Sequence, residues 1–308
     1  MVKKILLAVA IIIVVLAIIY GLLYQKNNRE IESVDALTVS ESLERSIQWL
    51  TDNEEKILND NNAMLWWMLK RSAEITKDYR ILKLYKAYKA KYLDQNAYSL
   101  WRPLFIPYSN VNLDRVNLAS FPDYNQYFIY GLTCNKKLGN SEIVQQQMKT
   151  DFCPNEHPIS PACVTHQLMG LQFRIKRQCG NASEMLSQVK ELQDMIALQL
   201  RWDVRVVDVY LQRVLMLIDT GASHRVKNQW LQNILDLQLD DGGWGPYQPL
   251  VRISGDQYIG FHAKGIKMLR TRSSLHATAQ GVLIMSLLSS IEADSIDMRD
   301  TKDKLKYF

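Results

Sequence analysis

Three residues in the second half of the chain have the right types for proton chemistry: His166, Asp208 and His276. An imidazole titrates near neutrality, and a carboxylate beside it orients the ring, so a His–Asp set suits general acid–base catalysis. Gln212 follows Asp208 by four residues and Gln280 follows His276 by four, a spacing that puts each pair on one helix face. Tyr127, with Asp123 at the same helix start, and Tyr258 are further ligand-binding candidates. No nucleophile motif accompanies them: G-x-S-x-G, H-E-x-x-H, the P-loop and G-x-G-x-x-G are all missing. No cofactor and no metal are expected.

Helices must carry these residues if they are to meet. Apolar periodicity predicts helices over 40–59, 62–77 and 78–93, then over 123–134, 141–151, 161–178, 182–198, 203–219, 224–237 and 275–291. Ser160-Pro161 reads as an N-cap with proline at the first helical position, and Ser223 and Ser274 as further caps. Gly180 and Gly221 stand where helices should stop. Short connections make successive helices antiparallel neighbours. Residues 94–122 read as irregular, broken by Pro103 and Pro107. No strand pattern is read. The segment 238–274 is glycine-rich and too long for a plain connector. Its Trp244, Tyr247, Tyr258 and Phe261 argue against disorder and suggest a lid or platform.

The helix at 78–93 carries Ile81, Leu84, Tyr85, Tyr88 and Tyr92 on one stripe and Arg80, Lys83, Lys86, Lys89 and Lys91 on the other side. The basic side reads as a solvated surface, with anionic lipid headgroups as its partner if it binds one. A net charge of +5 is too mild to indicate nucleic acid.

Residues 5–24 carry no charge and span about 30 Å as a helix, the thickness of a hydrocarbon core. The stretch is longer than a signal-peptide core and lacks a small-residue cleavage site, so it reads as an uncleaved anchor. Lys3 and Lys4 before it place the N-terminus (1–4) in the cytoplasm and the body outside. The bilayer is thus the first expected partner. Residues 25–39 read as a polar tether and 40–308 as one helical domain; oligomeric state is left open.

Four cysteines outside the cytoplasm fit two disulfides. Cys163 and Cys179 would lie about 24 Å apart on one helix, beyond the ~7 Å that a disulfide spans. The antiparallel course of the neighbouring helices then pairs Cys153 with Cys163 and Cys134 with Cys179. The weaker alternative is zinc on Cys153, His157, Cys163 and His166, a spacing that fits no standard module.

Gln238-Leu-Asp-Asp-Gly-Gly-Trp244 at the end of a helix resembles the QW motif of terpene cyclases and related α/α-toroid proteins, and Ser274-Leu-His-Ala-Thr-Ala-Gln280 resembles the segment that opens inner helices there. The resemblance implies an all-α toroid, an incomplete α/α barrel of antiparallel helix pairs, with Gln238 and Trp244 as structural braces. It does not imply cyclase chemistry, because neither the Asp-x-Asp-Asp nor the Asp-Asp-x-x-Asp motif is present.

In such a toroid the helices at 123–134, 161–178, 203–219 and 275–291 would be inner and parallel. Their N-termini would share one rim, bring the polar residues together above a floor of Val, Leu and Ile, and favour an anionic group. The leading expectation is a membrane-anchored domain that binds an envelope lipid or saccharide in a central cavity. The alternatives are an envelope glycan lyase or hydrolase, and an assembly factor without a ligand.

Overall fold

The computed structural model describes residues 2–96, 99–109, 111–149, 151–153 and 162–304. The chain opens with α1 (Val2–Asn28). It continues through α2 (Ala36–Asp52), α3 (Glu54–Ile57), α4 (Ala63–Thr76), α5 (Tyr79–Tyr88), α6 (Arg102–Phe105), α7 (Asp123–Thr133), α8 (Lys136–Gly139) and α9 (Glu142–Gln147). Then come α10 (Cys163–Arg177), α11 (Ala182–Trp202), α12 (Asp208–Asp219) and α13 (Asn228–Asp236). A sheet of β1 (Tyr247–Ser254), β2 (Gln257–His262) and β3 (Gly265–Arg270) precedes the last helix, α14 (Leu275–Lys304).

The helices start where side chains can accept their free N–H groups. Asp35, Asn62, Asp78, Ser141 and Asn181 each cap a first turn in this way. Ser274 does the same for α14, accepting from Ala277 N. Ser223 instead heads a short 3-10 turn, and the expected Ser160-Pro161 cap lies outside the described residues. The expected helix over 141–151 is shortened to α9, with the single turn of α8 before it, and α5 runs on into a π-helical turn, Lys89–Asp94.

Two expectations are corrected. Residues 25–39 are not a free tether: α1 continues to Asn28, α2 begins at Ala36, and the segment between is fastened to α13 by Lys227 to Glu30 and by Asn228 to the Ile31 carbonyl. The 238–274 segment does contain strands. β1, β2 and β3 form an antiparallel meander in that order. Its hairpins turn at Gly255-Asp256 and Ala263-Lys264, with Gly255 at φ +52. Bulges at Leu250 and Ile253 break the alternation of β1, which hides it from a period-two reading.

The last helix packs back against the early ones. α14 lies against α4, α2 and α12; α12 lies against α10, α11 and α13; α10 lies against α7 and α11. The row α4, α14, α12, α10, α7 is therefore flanked by α5, α2, α13, α11 and α9. Its middle is filled by aromatic rings that meet edge to face, Trp67 on Phe173 at 5.7 Å and Phe173 on Phe128 at 5.6 Å. At the C-terminal end of the row Arg71 pairs with Asp219, while Lys176 and Arg71 lie over the Trp67 ring.

The motif at 238–244 ties three helices. Gln238 Nε2 donates to the carbonyls of Ser42 and Gly242, each at 2.8 Å, and Trp244 Nε1 donates to the Ile234 carbonyl at 2.8 Å. The Trp244 ring lies so close to Gly281 on α14 that a Cβ there would sit 2.4 Å from it. Cys134–Cys179 and Cys153–Cys163 pair at Cα separations of 5.3 and 5.8 Å, the pairing the helix geometry requires. Both zinc-candidate thiols are thereby used, and His157 lies outside the described residues.

The basic side of α5 is largely neutralised. Arg80 forks onto Glu44 and Asp78, Lys83 meets Glu54, and Lys89 meets Asp94.

α1 is long and apolar enough to cross a membrane, with a mean hydropathy of 3.2 over its best window and none of that window buried in the body. Its last turns are docked. Tyr20 donates to the Trp202 carbonyl, the Tyr24 and Trp202 rings lie 5.0 Å apart, and Asn27 is buried among Leu200, Tyr210 and Asn233.

Candidate functional site

α4, α7, α10, α12 and α14 all present their N-terminal turns to one cavity of about 230 Å³. Asn62 and Met64 come from α4, Tyr124 and Asn125 from α7, and His166 from the first turn of α10. Gln212 comes from α12, and His276 and Gln280 from α14. The apolar lining includes Leu65, Met68, Phe128 and Met169, so of the expected Val, Leu and Ile only a leucine is present. Trp101 supplies a wall from the segment between α6 and the π-helical turn.

Asp208 is not a lining residue but stands beside His276. Its Oδ2 lies 3.6 Å from His276 Nδ1, just beyond hydrogen-bond range. His276 is exposed at the mouth, and its Nε2 lies 3.5 Å from Gln280 Nε2. Gln280 is fully buried, and its Oε1 has no hydrogen-bond partner among the described residues. An acceptor kept dry without a donor costs about 1–3 kcal/mol, so this amide is suited to a donor that arrives with a ligand.

His166 behaves differently from His276. Its ring stacks on Tyr124 at 4.3 Å and 9°, with Phe128 edge-on at 6.0 Å. Burial pushes its pKa down to about 4, and the neighbouring His276 adds to the effect. At neutral pH His166 is therefore an uncharged hydrogen-bonding ring.

Two of the expected ligand-binding residues do not reach the cavity. Tyr127 is fully buried in the seam between α7 and α10, its ring against Gly170 and its hydroxyl accepting from Arg174 at 3.4 Å. One helical step separates it from Tyr124 and Phe128, which do face the cavity. Tyr258 is on β2, paired with Arg252 and Leu269 across the sheet. The lid aromatics likewise lie elsewhere: Trp244 and Tyr247 are buried and Phe261 is in the sheet. Trp101, Tyr124, Asn125 and Asn62 are cavity residues that sequence reasoning missed. The i, i+4 pair Tyr124 and Phe128 was the available signal.

No group of three His, Cys, Asp or Glu side chains capable of holding a metal occurs among the described residues.

The rim is held from below by buried charge. Asp203 accepts from Arg213 Nη1 at 2.7 Å and from Arg205 Nε at 2.7 Å, and Gln199 accepts from Arg213 Nε at 3.1 Å. This cluster fixes the five-residue link between α11 and α12, and with it the direction of Asp208. Comparison with protein-family models, curated proteins and solved structures found no match.

Proposed function

We propose that the chain is a membrane-anchored α/α-toroid domain that binds a small polar group, a lipid headgroup or a single sugar unit of the cell envelope, in the cavity between five helix N-termini. The observation that carries this reading is the convergence of His166, Gln212, His276 and Gln280 on one cavity, with a buried amide oxygen still unpaired. Helix N-termini favour an anionic or oxygen-rich group. The volume is below the roughly 300–1,000 Å³ of sites that enclose drug-sized ligands, which selects a headgroup or one ring over an acyl chain or an oligosaccharide.

The toroid reading is supported by the inner row of helices, by the Gln238 and Trp244 braces and by the resemblance of their motif. The anchor reading is supported by α1, and the placement outside the cytoplasm by the two cysteine pairs.

The second reading is a lyase or hydrolase of envelope glycans. The Asp208–His276 pair beside a neutral His166 favours it, since one proton-transfer unit and one uncharged hydrogen-bonding ring face the same space.

The test is a titration of the full chain in lipid nanodiscs with glycerol 1-phosphate and with N-acetylglucosamine, read by calorimetry. Saturable binding that Gln280→Leu or His276→Ala weakens tenfold or more supports the cavity. Binding that His276→Ala retains while abolishing product formation from glycan fragments assigns catalysis. If neither probe binds and Gln280→Leu raises the melting temperature, the amide has no ligand and the third reading, an assembly factor, takes over.

A further inference from the structure

Among the described residues outside α1, exposed large apolar side chains occur singly or as i, i+3 and i, i+4 pairs such as Tyr79 with Leu82 and Leu198 with Trp202, except in one place where they form a larger group. In the meander, Val251, Ile259 and Met268 form a cross-strand row, and Ile266 continues it beside Phe261. Their exposures are 59% for Val251, 39% for Ile259, 63% for Met268 and 65% for Ile266. Leu250 and Ile253, pushed out by the bulges of β1, are exposed beside them. A contiguous apolar sheet face with open edge strands is an aggregation liability in water unless something covers it.

Its position says what covers it. The sheet is rooted on the link between α11 and α12, where Arg205 Nη1 donates to the Ala263 carbonyl and Val206 N to Gln248 Oε1. Trp202, immediately before that link, packs against Tyr24 and accepts from Tyr20 of α1. Asn27 is held deeper, at Leu200, so α1 leaves the body past Trp202 at the end where the sheet stands. Of the meander's four cations, Arg252 and Lys267 alternate onto the opposite face, while Lys264 in the second turn and Arg270 at the end of β3, 3.8 Å from Asp256, border the apolar face.

We infer that the apolar face of the β1–β3 meander docks into the interface of the same bilayer that α1 enters, with Lys264 and Arg270 at its border meeting the anionic headgroups. The inference rests on the reading of α1 as a membrane anchor. Apolar side chains flanked by Lys and Arg suit an element lying in the headgroup region, and each cation near an anionic surface adds attraction that salt screens. The same end of the molecule carries the N-termini of α12 and α14. The docked sheet would therefore set the cavity mouth against the leaflet.

The test uses the full chain in nanodiscs of phosphatidylcholine with phosphatidylglycerol, some of it brominated along the acyl chains. Ile12→Trp reports the anchor and Met268→Trp reports the sheet, each read as emission and quenching added to those of the parent chain with its seven native tryptophans. The expected result is bromine quenching of both, with blue-shifted emission for Met268→Trp. Adding Ile266→Asp and Val251→Asp, both at exposed positions, should abolish the Met268→Trp quenching and leave Ile12→Trp quenched. Quenching of Ile12→Trp without Met268→Trp overturns the docking and keeps the anchor. Absence of quenching at Ile12→Trp overturns both. Blue-shifted but unquenched Met268→Trp in a dimeric particle overturns the docking in favour of a second copy of the chain.

Discussion

The Tyr210 hydroxyl donates to Asn27 Oδ1 at 2.9 Å, joining the first turn of α12 to the last turn of the helix that starts at the N-terminus. Asn233 Nδ2 donates to the same oxygen at 3.1 Å, and Asn27 Nδ2 donates to the Leu200 carbonyl at 2.8 Å. A polar knot this dry ties α1 to the body by its hydrogen bonds. Asn27→Leu takes the acceptor from the buried Tyr210 hydroxyl, while Asn233 Nδ2 keeps the Tyr210 oxygen at 3.2 Å, so it should cost about 1–3 kcal/mol. The urea midpoint of the full chain in micelles measures it; an unchanged midpoint would mean that α1 is not docked.

The Asp203 cluster should be the most sensitive polar site. Asp203→Ala leaves Arg213 as a buried cation without its counter-charge, which costs about 3–5 kcal/mol. Converting Asp203 and Arg213 together to leucine should recover most of that loss. A double variant as unstable as the single one would show that the cost lies in packing rather than charge.

His166 gives a pH signature. Its folded-state pKa, about 4, is below the ordinary 6.5, so between these values the unfolded chain binds more protons. Stability from this residue is complete above about pH 6.5 and declines as pH falls toward 4, by on the order of 2 kcal/mol. His166→Asn should flatten that part of the stability–pH curve. A curve of unchanged slope would place the acid lability elsewhere.

The two disulfides should contribute unequally. The Cys134–Cys179 link closes 45 residues of chain and the Cys153–Cys163 link closes 10. Loop-closure entropy gives about 4 kcal/mol for the first and about 3 kcal/mol for the second. Paired alanine substitutions, compared by thermal unfolding under oxidising conditions, should rank them in that order.

Gly281 should tolerate no side chain. Gly281→Ala puts a methyl group into the Trp244 ring, and overpacking of this kind costs about 1–3 kcal/mol. A Trp244→Phe variant, by removing the second ring, should relieve part of the strain. Additive effects of the two substitutions would refute the contact.

Much of this was readable in the chain because it rests on local rules. The helix positions follow from apolar spacing and from caps such as Asn62 and Asp78. The cysteine pairing follows from helix length, which excludes Cys163 with Cys179, and from the antiparallel course of the neighbouring helices. Asp208 and His276 meet because each opens a helix of the same direction. What failed did so for physical reasons. Tyr127 and Tyr124 are three residues apart, and periodicity cannot say which of two neighbouring faces looks into a cavity and which into a helix seam. The meander was hidden by its bulges, although Gly255-Asp256 between Val, Ile, Tyr and Phe is a hairpin signal. Trp101 and Asn125 reach the site through tertiary packing that no local pattern encodes.

The docking of α1 through Asn27 has a further consequence. A protein on a slack leash can sweep a volume of fluid and seize what drifts past. Here the stalk passes into the body through Asn27 hydrogen bonds, so on the proposed reading a bilayer around α1 would hold the cavity at one height and one tilt. A ligand residing in that leaflet would then reach it by a two-dimensional walk, and its surface density, rather than its bulk concentration, would govern occupancy.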